Sequence, residues 1–185
     1  MPGDTLETSR VFLRPLAETD AEGLHLAYGD AEAMAFWDFG PSRDVLQTAA
    51  RIGRSLSIAR DWHACWSVLR RTDDQFLGLV NFHHREHWNN RLELGWICAP
   101  PFWRQGYMTE AVGAVVDHCF LDLCVHRIEA TISPDNVASR ALAERLGFQA
   151  EGGLMRDRML VEGKFVSVLM YALLRPDWRA RREPA

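Results

Sequence analysis

The chain of 185 residues reads as a mixed α/β protein built as one domain over its full length, with a strand–turn–helix–strand unit at its centre. Three observations predict this. First, a strand-like run from Leu92 to Cys98 leads through a glycine turn into a helix-like run from Thr109 to Asp122, and a β-branched run from Arg127 to Ile132 follows. A crossover of that kind makes its two strands parallel neighbours. Second, alternating segments and segments of helical period are interspersed along the whole chain. Third, the length suits a single hydrophobic core, with no internal repeat or low-complexity linker.

The elements follow in order. Ser9 to Leu16 alternates as a first strand that Pro15 closes. Thr19 and Asp20 are helix-start residues for a helix running through Leu24 to Tyr28. After Ser42, the spacing of Val45, Leu46, Ala49, Ile52, Leu56 and Ala59 predicts a second helix. Trp62 to Leu69 and Gln75 to His84 form a hairpin across the turn Thr72-Asp73-Asp74, and Glu86 to Arg91 is loop-like. Leu92 to Cys98 is a strand ended by Pro100-Pro101. Val112, Val115, Val116, Cys119, Phe120 and Leu123 make one helical stripe. Arg127 to Ile132 is a strand, Ser133-Pro134-Asp135-Asn136 a loop, and Ala138 to Leu146 a helix capped by Gly147. Two more strands follow, one from Phe148 onward and one from Phe165 to Leu174, before a charged tail that frays from Arg175.

Composition excludes several classes of function. The chain is 48% hydrophobic and 25% charged, which argues against disorder. A net charge of −4 gives no general attraction for nucleic acid. No apolar run approaches the roughly 18 residues of a membrane span. The opening MPGDTLETSR has no apolar signal region. Cys65, Cys98, Cys119 and Cys124 are scattered without a CxxC pair and read as reduced thiols, so a cytoplasmic protein is expected. Nothing in the sequence decides oligomeric state, and a homodimer is compatible with it.

The stretch APPFWRQGYMTEA, residues 99–111, carries the strongest chemical signal. A turn rich in backbone amides is delivered into a helix N-terminus, which binds anions without a basic side chain. Gly106 lets the backbone approach a ligand closely, because it has no Cβ. The feature predicts a phosphate or pyrophosphate site and a nucleotide-like cofactor. Glu110 reads as a first-turn acid favouring the helix dipole.

Around that turn, Trp103-Arg104-Gln105-Gly106-Tyr107-Met108 resembles the R/Q-x-x-G-x-G/A loop of the GNAT acyl-coenzyme A dependent N-acyltransferases, with Met108 at the Gly/Ala position. Arg127-Ile128-Glu129-Ala130, then Pro134, Asn136, Ser139, Leu146-Gly147-Phe148 and Glu151-Gly152, is similar to the second half of the ribosomal-protein-alanine acetyltransferase branch. Glu93-Leu94-Gly95-Trp96-Ile97 before Pro100, and the opening Phe12-Leu13-Arg14-Pro15-Leu16, match it as well. The resemblance covers roughly residues 10–178. It implies a mostly antiparallel sheet of about six to seven strands with one splayed parallel pair, about four helices, and acetyl-CoA as co-substrate without a metal.

The resemblance also implies roles. The amides of Arg104, Gln105, Gly106, Tyr107, Met108 and Thr109 would hold the pyrophosphate. The strand edge at Trp96 and Ile97 would take the pantetheine arm, although core packing of their side chains accounts for these residues equally well. Asn136 would touch the cofactor, or it caps the helix behind it. Ser139 is the candidate acid for the leaving thiolate, because Ala143 stands where many members of the superfamily have Tyr; alternatively it only bonds the preceding turn. Glu93 is the candidate base, or a surface carboxylate paired with Arg91. His83-His84-Arg85-Glu86-His87 lacks a second carboxylate at ligand spacing, so it reads as a hairpin end with one His at the substrate groove rather than a metal site. Ser167 replaces an Asp that the branch often carries four residues before its last-strand tyrosine, here Tyr171.

These residues predict direct transfer of an acetyl group to a primary amine. A site without a strong base favours an α-amine, whose pKa of about 7.7–8.0 leaves part of it neutral, over lysine at about 10.4. A protein N-terminus is therefore the expected acceptor. A small amine such as an antibiotic, polyamine or amino-acid-like toxin is the alternative within this class, and a non-catalytic acyl-CoA binding module the alternative outside it.

Overall fold

Eight strands form one sheet in a computed structural model that describes residues 4–182. They are β1 (Leu6–Glu7), β2 (Val11–Pro15), β3 (Ala64–Arg70), β4 (Phe76–Glu86), β5 (Arg91–Cys98), β6 (Arg127–Ile132), β7 (Gln149–Val161) and β8 (Lys164–Leu174). Their order is β1-β2-β3-β4-β5-β6-β8-β7. Every neighbouring pair is antiparallel except β5 and β6. The parallel pair is the predicted crossover, and its connection runs through α3 (Tyr107–Leu121). The other helices are α1 (Ala21–Tyr28), α2 (Val45–Leu56), α4 (Val137–Leu146) and α5 (Arg175–Ala180).

Helices cover both faces of the sheet. Val112, Val115, Val116 and Phe120 of α3 pack with Ala143 of α4 against Leu13, Trp66, Val80, Phe82, Leu94 and Ile128. On the other face, Leu24 and Ala27 of α1 and Ile52 of α2 pack against Leu79 and Ile97. Local chemistry sets the ends of α2 and α4. The Asp44 carboxylate accepts from Gln47 N–H (2.7 Å) to open α2, which ends at Leu56 instead of reaching Ala59. Gly147, at φ +96°, closes α4 in the left-handed conformation that glycine adopts without strain.

Three expectations require correction. The sheet has eight strands rather than six or seven, because a two-residue strand (β1) adds to its edge without a periodic signature. Residues 86–91 are less of a loop than expected, since Glu86 and Arg91 are paired strand ends. The tail is not frayed at Arg175. A fifth helix, α5, forms there and buries Trp178 against Phe120 (ring centroids 5.1 Å apart), with its indole N–H donating to Asp117 (2.8 Å). The charged residues around Trp178 hide this anchor, and two of them add to it: Arg181 donates to Arg145 C=O (3.1 Å) and Arg182 to Asp117 (2.7 Å).

Candidate active site

β5 and β6 pair only over Arg91–Arg127, Leu92–Ile128 and Glu93–Glu129. Beyond Glu93 they part, while β5 stays paired with β4 as far as Cys98 opposite Gly78. The edge of β5 facing β6 is therefore without a strand partner from Leu94 to Cys98, the segment that carries Trp96 and Ile97. The Trp96 side chain is half-buried on the α3 face, and Ile97 is buried on the α1–α2 face. The closed end of the fork is pinned by ion pairs of Arg91 with Glu86 (2.6 Å) and Glu129 (3.0 Å), and of Arg127 with Glu129 (2.6 Å) and Glu151 (2.5 Å).

The turn that follows β5 brings its amides to the mouth of the fork. Gly106 sits at φ +80° as the N-cap of α3, and Arg104 is at φ +60°. The first bond into the helix runs from Glu110 N–H to Gly106 C=O (3.2 Å). The N–H groups of residues 106–109 thus face forward of the helix, as the first-turn argument requires. Arg104, Gln105 and Gly106 are exposed, Tyr107 and Thr109 half-buried. Met108, at the family's Gly/Ala position, sends its side chain into the core and leaves the turn's outer surface clear. Arg10, which no motif marks, braces the turn. Its Nη1 donates to Gln105 C=O (3.0 Å), its Nε donates to Glu110 (2.7 Å), and its guanidinium lies over the Tyr107 ring (4.9 Å). Glu110 also accepts from Ser9 Oγ (3.1 Å) and Arg10 N–H (2.8 Å), so it anchors β2 to α3 in addition to facing the dipole.

Glu93 fills the notch where the fork opens. Thr131 donates to it through its hydroxyl and through its N–H (3.2 Å), and His83, its cross-strand partner, brings Nε2 to 3.6 Å. Burial alone would raise its pKa; the influence of His83 and the Thr131 hydrogen bonds outweigh burial and hold it at about 2. Arg91 is not its partner. His84, at φ +52° in an irregularity of β4, turns back so that its ring meets that of His83 (centroids 4.7 Å) and its Nδ1 lies 3.5 Å from Glu93. His83, His84 and Glu93 each place one potential ligand atom within 4.8 Å of the others, a grouping that linear spacing hides. His87 instead pairs with Asp61 (2.7 Å).

Asn136 and Ser139 lie across the fork at the start of α4. Asn136 Oδ1 accepts from Ser139 N–H (3.0 Å), so its side chain is the helix cap. The Ser139 side chain is half-buried. Tyr171 does not stand in for the missing tyrosine of α4: its hydroxyl donates to Glu144 (2.9 Å) and accepts from Arg140 Nε (3.2 Å). Sequence reasoning missed Asn81, a buried polar residue beside Gly95 and His83. Its only linear signal is a lone amide inside an apolar strand.

Residues 10–149 match the model of the acetyltransferase (GNAT) domain family. The chain belongs to the GNAT acetyltransferases. It is an acetyl-CoA-dependent N-acetyltransferase. It is 31% identical over 176 residues to the uncharacterized N-acetyltransferase p20 of Bacillus licheniformis, covering 95% of this chain and 98% of that one. It is 27% identical to the [ribosomal protein uS5]-alanine N-acetyltransferase of Escherichia coli, over 98% and 96% of the two chains. The crystal structure of a probable GNAT-family acetyltransferase from Chromobacterium violaceum superposes with a TM-score of 0.86 at 25% identity, covering 97% of this chain and 90% of that one. No helix among the described residues is long and apolar enough to cross a membrane.

Proposed function

We propose that this enzyme acetylates the α-amine of a protein N-terminus. What supports the acceptor class is the setting of Glu93: Thr131 donates to its carboxylate and His83 Nε2 lies 3.6 Å away, which keeps it ionised and a weak base, at about 2. Such a group is too weak to strip a proton from a lysine ammonium and takes one only once the C–N bond has formed. At pH 7 an α-amine of pKa about 7.7–8.0 is neutral in roughly a tenth to a sixth of molecules, whereas a lysine is neutral in well under one in a thousand. Likeness over nearly the whole chain to an enzyme named for a ribosomal-protein alanine supports the same class.

The residues present suit acetyl-CoA. Forward-facing amides at Gly106, Tyr107, Met108 and Thr109, preceded by the exposed turn of Arg104 and Gln105 that Arg10 braces, suit a pyrophosphate. The free edge of β5 at Trp96 and Ile97 suits the amides of a pantetheine arm, and Asn136 borders the same opening. In the transfer a C–N bond forms and the C–S bond breaks. The amine gives up one proton, which Glu93 receives directly or through water. The sulfur takes one from Ser139 or water; a thiolate whose conjugate pKa is about 8.5 needs only a weak acid. Most of the acceleration then comes from holding the two reactants in one groove.

Two measurements test the reading. Gly106→Val should weaken CoA binding at least tenfold by calorimetry, and unchanged affinity would remove the pyrophosphate site. Thiol release at pH 7.5 should be at least 100-fold faster, as kcat/KM, with a peptide bearing a free N-terminal alanine than with an Nα-blocked lysine peptide or spermidine. Equal rates would remove the α-amine assignment.

A further inference from the structure

Asn81 is 8% exposed on β4, directly opposite Gly95 of β5 and two residues before His83. Its Nδ2 donates to His83 Nδ1 (3.2 Å), which places the proton of a neutral His83 ring on Nε2, toward Glu93. Its Oδ1 has no partner among the described residues. A buried carbonyl oxygen left unpaired is costly, and such atoms point to a missing donor. Neighbouring side chains do not supply one. Cys65, opposite Asn81 on β3, is engaged with His63 (3.1 Å) and Ser55 (3.3 Å). Gly95 leaves room beside the buried oxygen, because a Cβ there would lie 2.7 Å from Asn81 Oδ1.

Asn81 Oδ1 and Glu93 share one property. The amide oxygen has only lone pairs to give, and so has the Glu93 carboxylate, whose Oε1 accepts from Thr131 and whose Oε2 faces His83 Nε2 (3.6 Å) and His84 Nδ1 (3.5 Å) with lone-pair capacity left. A site lined by acceptors selects a donor-rich group. Building on the acetyltransferase reading, we propose that Asn81 Oδ1 is the seat of the attacking nitrogen, a positioning residue that accepts one N–H of a primary amine while Glu93 faces the other. Engaging both N–H bonds leaves the nitrogen lone pair free and aims it in one direction. The arrangement discriminates against secondary amines, which have a single N–H and leave one of the two acceptors unpaired.

The test compares an alanine-initiated peptide with its N-methylalanine twin, or spermidine with its N-methylated twin if the wild type turns that over faster, using acetyl-CoA and thiol release. The wild type should favour the primary amine at least 20-fold in kcat/KM. Asn81→Leu and Gly95→Ala, the second displacing the oxygen without removing it, should each cut kcat/KM for the primary amine at least 20-fold and shrink the preference below threefold. In Asn81→Leu, CoA affinity should stay within twofold. A purely structural role for Asn81 would slow both twins alike, and an unchanged preference with intact CoA binding overturns the seat. If Asn81→Leu fails to fold, Gly95→Ala decides. Failure of the wild type itself to bind CoA would overturn the acetyltransferase reading instead.

Discussion

Glu93 shows how far one residue can be read from sequence and where structure must take over. Its place two residues before Gly95, on the strand leading to the glycine turn, makes it the candidate base in the sequence. Its chemistry depends on Thr131, which lies on the neighbouring strand 38 positions away, and on His83 across the other edge. Glu93→Gln should lower kcat/KM for an α-amine peptide by about 10²-fold, the lower end of what proton-transfer groups contribute. Because Glu93 titrates near 2, the rise of kcat/KM between pH 6 and 9 should follow the amine, with a midpoint near its own value of about 7.7–8.0, in both wild type and variant. A midpoint that moved in the variant would assign the limb to the enzyme. Stability has its own sign. The folded pKa lies below the unfolded value of about 4.3, so the carboxylate's contribution is present above that value and is lost as pH falls toward 2. The stability gap between wild type and Glu93→Gln, measured by denaturant unfolding, should shrink over that window. The turn at Gly106 was legible because a glycine just before an apolar helical period marks a helix entry, which the structure shows at φ +80°. The placement of Asn81 opposite Gly95 and of His84 beside Glu93 was not, because it depends on cross-strand register and on an irregularity at φ +52°.

At the scale of elements, strands and helices with a clear period were read within a few residues of their ends, and the misses had weak signatures. α5 is the instructive case, since its only apolar side chain facing the core is Trp178. Trp178→Ala should cost roughly 3–5 kcal/mol, the range for truncating a large buried aromatic, read as a fall in the urea midpoint. A loss under 1 kcal/mol would mean that the segment is dispensable. Asp20 is the N-cap residue of α1, as expected, but its side chain makes no cap bond and closes a buried network instead. Its carboxylate accepts from Arg14 (2.6 Å), Ser67 (2.6 Å) and Ala17 N–H (2.9 Å), tying β2 and β3 to the turn that launches α1. Burial would raise its pKa, but these donors overcome burial and lower it. Asp20→Ala should destabilise the fold by about 3 kcal/mol or more, because it strands the partly buried Arg14 guanidinium and the Ser67 hydroxyl. The depressed pKa makes that contribution full above the unfolded value of about 3.9 and lost as pH falls below it. The deficit of the variant should therefore be largest near neutrality.

For the whole molecule, the three-residue pairing of β5 with β6 is the decisive feature. It leaves two parts of the sheet joined by a short ladder, the ion pairs at its closed end and the helices across it. A ligand lying in the fork would bridge those parts and occupy amides that the chain leaves open. Binding to the native state alone stabilises it by about 2.7 kcal/mol at a ligand concentration 100 times Kd. For a chain of this size each kcal/mol moves Tm by roughly 2–4 °C, so saturating CoA should raise Tm by about 5–11 °C. The location of the effect matters more than its size. Hydrogen exchange should slow at those amides of residues 94–98 that point away from β4 and at the amides of 106–109. Amides on the outer strands β1 and β2 should change only by the global gain in stability. A rise in Tm without added protection at either segment would place the cofactor outside the fork. Protection at 106–109 alone would confine it to the pyrophosphate end, so the two segments together test whether one ligand spans the gap.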